Sequence, residues 1–242
     1  MKEFKMLKEP ETRTIYKPFD WTFNTKEVAE VFDTHVEQSV PFYKVFHNMI
    51  GTFAQYYIEP HSQVVDVGCS TGKLLTSIAG VNNKPVVQFV GIDTSQAMID
   101  KARECSQHLN VSFLKIDACK FHFEEASFVY SMLCMQFVPL ADREDILKNI
   151  YNGMKQGGAF VMVEKVKSSI TDVHDIYNDI YYDFKRSQGL TDTSILDKNV
   201  SLRGVMKPLT LEANVEMLKE AGFSQIEVFM KYNNFAGIIA IK

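Results

Sequence analysis

The sequence predicts an α/β fold in which helices cover both faces of an open, mainly parallel, Rossmann-like sheet of seven strands. First, an apolar β-branched run from Val64 to Val67 stops at glycines and is followed by a helical pattern, as in a strand buried on both faces. Second, strand and helix patterns alternate from Gln63 to Lys165. Third, two apolar runs close the chain, which predicts a terminal antiparallel hairpin.

Residues 1–60 are predicted to form an N-terminal arm and a helical lid, and residues 61–242 to form the α/β domain, all within one compact unit. A helix is expected from about Pro41 to Tyr57, because apolar residues recur there at spacings of three and four. Aromatic residues are dense before the first strand, at Phe19, Trp21 and Phe23. This aromatic cluster fits a lid over a binding site and equally a layer that packs under the sheet.

The segment Gln63–Lys73 reads Q-V-V-D-V-G-C-S-T-G-K, a strand, a glycine turn and the start of a helix. A turn without side chains lets backbone N–H groups and a helix N-terminus approach a bound ligand. The acid Asp66 precedes the first glycine, where a carboxylate repels a pyrophosphate but pairs with an ammonium group. The segment therefore predicts binding of S-adenosyl-L-methionine, with contacts from Asp66, Gly68, Cys69, Ser70 and Gly72.

Acids also end the next two predicted strands. Asp93, which follows Val86–Ile92, is expected to accept hydrogen bonds from both ribose hydroxyls. Asp117, which follows the third strand Val111–Ile116, is expected to accept from the adenine amino group. Since carboxyl ends of parallel strands share one sheet edge, further cofactor contacts are expected from Thr94, Met98, Ala118 and Met132.

Helices are predicted to interrupt the domain after the fifth strand, Ala159–Val163, as an insertion over about residues 168–206. Ile170–Ser187 has helical spacing, Thr191–Met206 is less regular, and a hairpin of Ile226–Met230 with Ile238–Ile241 follows. The catalytic candidates lie on or next to this insertion: Glu164, Lys165, Tyr177 and Tyr181. Each has an alternative interpretation, because a Lys-Glu pair is commonly a surface ion pair and an aromatic stripe is commonly core.

Composition favours a small-molecule enzyme. The chain has 242 residues, is 46% hydrophobic, and carries a net charge of −4 without a basic tract, so nothing indicates direct nucleic-acid binding. Its four cysteines lack C-x-x-C spacing, which predicts reduced core thiols and a cytoplasmic location, and its six histidines lack the spacing of a metal site. We find neither a signal-peptide pattern nor an apolar run of membrane-spanning length.

A closer resemblance runs almost from end to end of the chain. It is carried by D-W-T-F at Asp20–Phe23, V-A-E-V-F at Val28–Phe32, S-V-P-x-Y at Ser39–Tyr43, D-x-G-C-S at Asp66–Ser70, G-I-D-x-S at Gly91–Ser95, V-E-K at Val163–Lys165 and D-F-K-R at Asp183–Arg186. With these motifs the chain resembles the carboxy-S-adenosyl-L-methionine synthase family, within the class I S-adenosylmethionine-dependent methyltransferases. The resemblance implies a homodimer that converts S-adenosylmethionine and prephenate into a carboxylated sulfonium, which a partner enzyme uses on a tRNA wobble uridine. It also implies cofactor contacts from Tyr43, Gly68, Ser70, Asp93 and Asp117.

Two positions depart from the family pattern. Asn199 stands where the family has an arginine that pairs with the added carboxylate, and Met132 stands where it has an asparagine. The leading hypothesis is a paralogue that keeps the S-adenosylmethionine site and methylates a small acceptor. The alternatives are carboxy-S-adenosylmethionine synthesis, with Arg203 or another cation holding the carboxylate, and a non-catalytic binding subunit. Accordingly, the expected cofactor is S-adenosyl-L-methionine or its carboxylated derivative.

Overall fold

A computed structural model describes residues 22–106 and 109–242. Its centre is a seven-stranded sheet with the order β3-β2-β1-β4-β5-β7-β6. The strands are β1 Ser62–Val67, β2 Val87–Asp93, β3 Val111–Lys115, β4 Ala126–Met132, β5 Met154–Lys165, β6 Gln225–Tyr232 and β7 Phe235–Ile241. Strands β1 to β5 pair in parallel, whereas β7 pairs antiparallel with β5 and β6. The predicted Rossmann-like sheet with a terminal antiparallel hairpin is confirmed.

Eight α-helices surround the sheet in the described part of the chain. They are α1 Lys26–Ser39, α2 Tyr43–Tyr57, α3 Lys73–Val81, α4 Gln96–Cys105, α5 Leu140–Gly153, α6 Thr171–Ser187, α7 Asp192–Ser201 and α8 Leu211–Glu220. Short 3-10 turns at Ala118–Lys120 and Met135–Phe137 follow β3 and β4. None of the helices in residues 22–106 and 109–242 is long and apolar enough to span a membrane.

The sheet separates two apolar layers, as alternating strand side chains require. On one side Val64 and Phe128 pack with Phe46 and Ile50 of α2. On the other side the layer of Val65, Val129 and Phe160 is closed by α5 and α8, with Ile146, Leu147 and Leu218. Strands β1 and β4 are covered on both faces, and almost all of their residues are buried, including the polar Asp66 and Ser131.

Several local expectations were wrong. The sequence predicts a helix from Asp142 to Met154 that ends at a glycine stop, Gly157 and Gly158, but α5 ends at Gly153 and both of these glycines lie inside β5. The segment expected to be irregular contains α7, which Thr191 caps by accepting from the Ser194 N–H at 3.2 Å. All four cysteines are free thiols, but Cys105 and Cys119 are exposed and not in the core. Most of the predicted arm, with Phe19 and Trp21, lies outside the described residues.

Candidate functional site

A cavity of about 560 Å³ opens at the carboxyl ends of the central strands, where ligands bind in open α/β sheets. Loops after β1, β2, β3 and β4 form one wall, and α1, α2, α6 and α7 supply the others. The predicted site residues that line it are Tyr43, Asp66, Gly68, Cys69, Ser70, Asp93, Thr94, Met98, Asp117, Ala118, Met132, Lys165 and Tyr181. The structure therefore brings together residues that are spread over much of the sequence.

Asp66, at the end of β1, is 4% exposed and accepts a hydrogen bond from the Tyr130 hydroxyl at 2.9 Å. Burial raises the pKa of Asp66 to about 8; the Tyr130 hydrogen bond lowers this pKa, and nearby Asp93 raises it further. A buried carboxylate without a cationic partner is costly. Its place in the cavity wall suits the ammonium group of an amino-acid ligand.

The glycine turn and the β2 end are joined through Asp93. Its carboxylate accepts from the Ser70 N–H at 3.0 Å and from the Ser95 N–H at 2.8 Å. Burial raises the pKa of Asp93, and the backbone hydrogen bonds oppose this rise. Ser70 has a positive φ of 51°, which turns its N–H toward Asp93. Two bonds orient the carboxylate and leave lone pairs for a diol, as a ribose requires.

Gly72 does not line the cavity, although it belongs to the same turn. Its φ is 71°, and a Cβ atom there would lie 2.5 Å from the Phe113 ring and 2.9 Å from the Ala102 Cβ. The position starts α3 without a side-chain cap. Gly72 therefore permits close packing of the turn against β3 and α4.

Two catalytic candidates also lie away from the cavity wall. Glu164 is 3% exposed, and its carboxylate accepts from the N–H groups of Met135 and Gln136 at 2.9 and 2.8 Å. Burial raises the pKa of Glu164, and the hydrogen bonds from the two backbone N–H groups oppose this rise. Tyr177 packs under the Lys231 ammonium, 4.8 Å from its ring centroid, and its carbonyl accepts from the Asn233 side chain. Glu164 thus supports the turn after β4, and Tyr177 supports the hairpin.

Cations line the cavity on the β5 side. The ammonium groups of Lys165 and Lys185 lie 4.3 and 4.6 Å from the centroid of the same Tyr181 ring. Burial and, to a smaller extent, repulsion from Lys185 lower the pKa of Lys165 to about 7. Burial alone lowers the pKa of Lys185 to about 8. Neither lysine is ion-paired with a carboxylate of the described residues. Lys198 and Arg203 line the same side.

The Asn199 side chain makes an uncharged hydrogen bond. Its side-chain amide donates to the Tyr182 hydroxyl at 2.8 Å, and both residues line the cavity. Asn199, which stands where the resemblance implies an arginine, therefore joins α7 to α6 through a polar bond. An amide offers no positive charge to a carboxylate in this position.

Aromatic residues from the lid region also border the cavity. Phe23 lies edge-on to Phe137 at 5.0 Å and to Phe32 at 6.3 Å, and all three line the cavity. The Phe23 carbonyl accepts from Ser95 at 2.7 Å. Helix α1 is linked to the glycine turn by the Thr71 hydroxyl, which donates to Asp33 at 2.7 Å.

Comparisons with known proteins agree with this geometry. A methyltransferase domain family matches residues 64–158. The carboxy-S-adenosyl-L-methionine synthase of Staphylococcus epidermidis is 42% identical over 94% of this chain and 99% of its own length. The chain belongs to the carboxy-S-adenosyl-L-methionine synthase family. Another synthase of that name, from Nautilia profundicola, is 34% identical and covers 96% of this chain and 100% of its own length.

Solved structures support the fold of this family member. Phosphoethanolamine N-methyltransferase 2 of Haemonchus contortus, in complex with phosphomonomethylethanolamine and S-adenosylhomocysteine, superposes with a TM-score of 0.64 at 18% identity. That match covers 93% of this chain and 59% of the other chain. The low identity makes this a likeness of fold alone.

This chain is an S-adenosylmethionine-dependent transferase. The observed site fits that cofactor: a cationic amino-acid group suits buried Asp66, and Asp93 presents an oriented carboxylate at the next strand end. Within the described residues, His, Cys, Asp and Glu side chains form no group of three that could hold a metal ion.

Sequence reasoning did not single out Lys185 or Tyr130 as site residues. Lys185 belongs to the D-F-K-R motif and is 6% exposed. Its position in a predicted helix with regularly spaced apolar residues is the sequence signal that could have indicated a buried lysine. Tyr130 is a polar-tipped residue inside a buried strand, and it is 0% exposed. A buried tyrosine hydroxyl needs a partner, which is the signal that could have found it.

Proposed function

We propose that this chain transfers the methyl group of S-adenosylmethionine to a small acceptor that carries an anionic group. The cation-lined side of the cavity supports an anionic acceptor, because Lys165 and Lys185 are held without a carboxylate partner among the described residues. Burying two ammonium groups in this way costs stability unless a ligand pairs with them. The observation that carries the choice of methyl transfer is Asn199, whose amide bonds Tyr182 where the family has an arginine.

The residues of the cavity would contact different parts of the cofactor. Asp66 would hold the amino group of the cofactor and Asp93 its ribose, as expected from the sequence. When bound, S-adenosylmethionine supplies a methyl group activated by its sulfonium, for in-line displacement by a nucleophile. The protein's part is mainly to place the two reactants and to exclude water.

The two lysines suit different tasks near neutral pH. The pKa of Lys185 is lowered only to about 8, so its ammonium remains largely charged and can hold an anion beside Tyr181. The pKa of Lys165 is lowered to about 7, so a substantial fraction of its Nζ is free to accept a proton from the acceptor nucleophile. Tyr181 lies within cation–π distance of both ammonium groups and orients them. Glu164 and Tyr177 would act only through the turn and the hairpin that they support.

Carboxy-S-adenosylmethionine synthesis is the second candidate, because the family relatives carry that name and because the same lysines suit a carboxylate. It would require Lys185 or Arg203 to replace the missing guanidinium. Replacing a bidentate charged donor with an amide loses a contact worth about 1.5–3 kcal/mol, more when the anion is desolvated.

Mass spectrometry of the bound small molecules separates the candidates. Purified protein is incubated with S-adenosylmethionine, with and without prephenate, and the ligands are released by denaturation. We expect unmodified S-adenosylmethionine or S-adenosylhomocysteine in both samples. A prephenate-dependent gain of one carboxylate mass on the cofactor would contradict methyl transfer as the sole activity and establish the synthase.

A matched variant sharpens the comparison. Asn199→Arg restores the family residue at the position that now bonds Tyr182. We expect this variant to bind a small carboxylic acid beside S-adenosylhomocysteine more tightly than the natural chain does, measured by calorimetric titration of the acid into the S-adenosylhomocysteine complex. Thr193→Arg, on the same helix, serves as the control for added charge. Equal effects of the two variants would show that position 199 has no special role.

Acceptor screening should then compare matched pairs of compounds, each acid with its amide. We expect methylation of acids only, and loss of that preference in Lys185→Met. Turnover of the amides at equal rates would contradict the anionic acceptor.

We further propose a cytoplasmic homodimer, as the family resemblance implies. Exposed apolar residues support a second copy: Ile176 and Ile180 on α6, and Phe42, which packs against Tyr232, are each more than 40% exposed. Light scattering after size exclusion tests the dimer, and a monomer at micromolar concentration would contradict it.

A further inference from the structure

Tyr130 is a polar side chain in the centre of the buried strand β4. The residue is 0% exposed, and its ring packs 5.8 Å from the ring of Phe128. Its hydroxyl donates to Oδ2 of Asp66 at 2.9 Å, across the β1–β4 pair. A phenylalanine would supply the same packing without a polar group to satisfy. The hydroxyl is therefore explained by its partner and not by the core.

The surroundings of Asp66 contain no compensating cation in the described part of the chain. The titratable groups that face it are Tyr130 on β4, Asp93 on β2, Tyr43 on α2, Cys69 in the glycine turn and Cys134 after β4. All are neutral or anionic. The described residues form no hydrogen bond to Oδ1 of Asp66. One carboxylate oxygen is thus held by Tyr130, and the other is left for a ligand at the cavity.

We infer that Tyr130 is a positioning residue for the cofactor: its hydroxyl fixes Asp66 and favours the ionised carboxylate that receives the ammonium of the amino-acid moiety. The residue touches no reacting atom and acts through Asp66. The inference concerns cofactor binding alone, so it stands or falls independently of the acceptor.

The pH dependence of cofactor binding follows from the protonation of the Asp66 carboxyl group. Burial holds the pKa of Asp66 at about 8 in the free protein. Below that pH, Asp66 must release a proton to solvent before it pairs with the ligand ammonium, so affinity falls as pH decreases. The Tyr130 hydrogen bond lowers this pKa. Removing it shifts the acid limb of the affinity profile to higher pH.

The test is calorimetric titration of Tyr130→Phe and the natural protein with S-adenosylhomocysteine between pH 6 and 9.5. This ligand keeps the amino-acid group and cannot transfer a methyl group. We expect about tenfold weaker binding of the variant on the acid limb, since one pKa unit corresponds to a factor of ten. The difference should shrink as pH rises, and the alkaline limb, which belongs to the ligand amine, should not move.

A second ligand separates positioning from general damage. 5′-Methylthioadenosine contains the nucleoside but not the amino-acid group, so its affinity should be the same for both proteins at every pH. A loss of S-adenosylhomocysteine affinity by one factor at all pH values, or an equal loss for 5′-methylthioadenosine, would overturn the inference.

Asp66→Asn keeps the inference testable if Tyr130→Phe does not fold. The asparagine still accepts a hydrogen bond from Tyr130 but cannot ionise. We expect weak S-adenosylhomocysteine binding without an acid limb. Persistence of that limb in Asp66→Asn would assign the pH dependence to another group and reject the role of Tyr130.

Discussion

At the scale of single residues, neighbours decide what a motif residue does. Gly68 and Gly72 are equivalent in the glycine pattern, yet only Gly68 borders the cavity. Gly72 instead adopts a φ of 71° against Phe113, a residue of β3. The motif predicted the turn correctly, but the reason for one of its glycines is packing with a distant strand.

Gly72→Ala should therefore destabilise the protein by about 3 kcal/mol, from overpacking and from a left-handed backbone that disfavours a Cβ atom. Gly157→Ala is the matched control, since Gly157 has a φ of 81° but a Cβ atom there would have no described atom within 4 Å. It should cost about 1 kcal/mol, from backbone conformation alone. Urea unfolding measures both, and equal losses would contradict the packing role of Gly72.

The buried ammonium group of Lys165 lowers the stability of the ligand-free protein. Its pKa is lowered to about 7 in the folded protein, so between pH 7 and its unfolded value of 10.5 the unfolded chain binds more protons. The penalty for the buried charge is present in full below pH 7 and disappears as pH rises toward 10.5.

Lys165→Met should consequently stabilise the free protein by about 3–5 kcal/mol at pH 6, because each pKa unit between 7 and 10.5 corresponds to about 1.4 kcal/mol, and this gain should largely vanish near pH 10. Thermal unfolding at several pH values measures it, with exposed Lys120→Met as the control. A gain that is independent of pH would mean that the methionine packs better and that the charge is not the cause. The same variant should lose acceptor turnover.

At the scale of elements, α1 is fastened to the cofactor turn by a few polar bonds. Thr71 donates to Asp33 at 2.7 Å, and Lys73 pairs with Glu37 at 3.3 Å. Thr71 is 4% exposed, so its bond is protected from water. The predicted lid is therefore connected to the residues that begin α3, and ordering the turn should order α1.

Thr71→Val, which keeps the shape but removes the hydroxyl, should loosen α1. Losing one hydrogen bond of about 1 kcal/mol corresponds to about fivefold faster amide exchange in α1. Hydrogen–deuterium exchange detected by mass spectrometry measures this change. Lys26→Ala is the control, because its ion pair with Glu30 spans 4.0 Å on the exposed face of the same helix. Similar acceleration by both variants would contradict the link through Asp33.

At the scale of the whole molecule, the sheet edge orders charge along the cavity. Carboxyl groups lie at the carboxyl ends of β1, β2 and β3, as Asp66, Asp93 and Asp117, whereas Lys165 and Lys185 come from the end of β5 and from α6. Rossmann-like folds serve many cofactors, so the fold itself does not choose one. The arrangement of charge at this edge selects a cationic amino-acid nucleoside over a pyrophosphate.

S-adenosylmethionine at 100 times its dissociation constant should raise the free energy of unfolding by about 2.7 kcal/mol, because it binds only the folded state. For a chain of this length, the melting temperature should rise by several degrees. NAD at the same concentration is the control and should produce no shift, measured at pH 9, where ionised Asp66 and Asp93 repel its pyrophosphate. A comparable shift with NAD would contradict the assigned selectivity.

The sequence by itself determined the fold and the cofactor edge, because both depend on local signals. Strand runs, helix spacing and the acids at strand ends are readable within a few residues, and parallel strands must gather their carboxyl ends. Only the tertiary structure decided the α6 contacts. Tyr177 and Tyr181 are one helical turn apart, yet Tyr181 lies under two lysines at the cavity while Tyr177 packs on the hairpin. Such contacts join segments far apart in sequence, and no local pattern records which part of a helix reaches which neighbour.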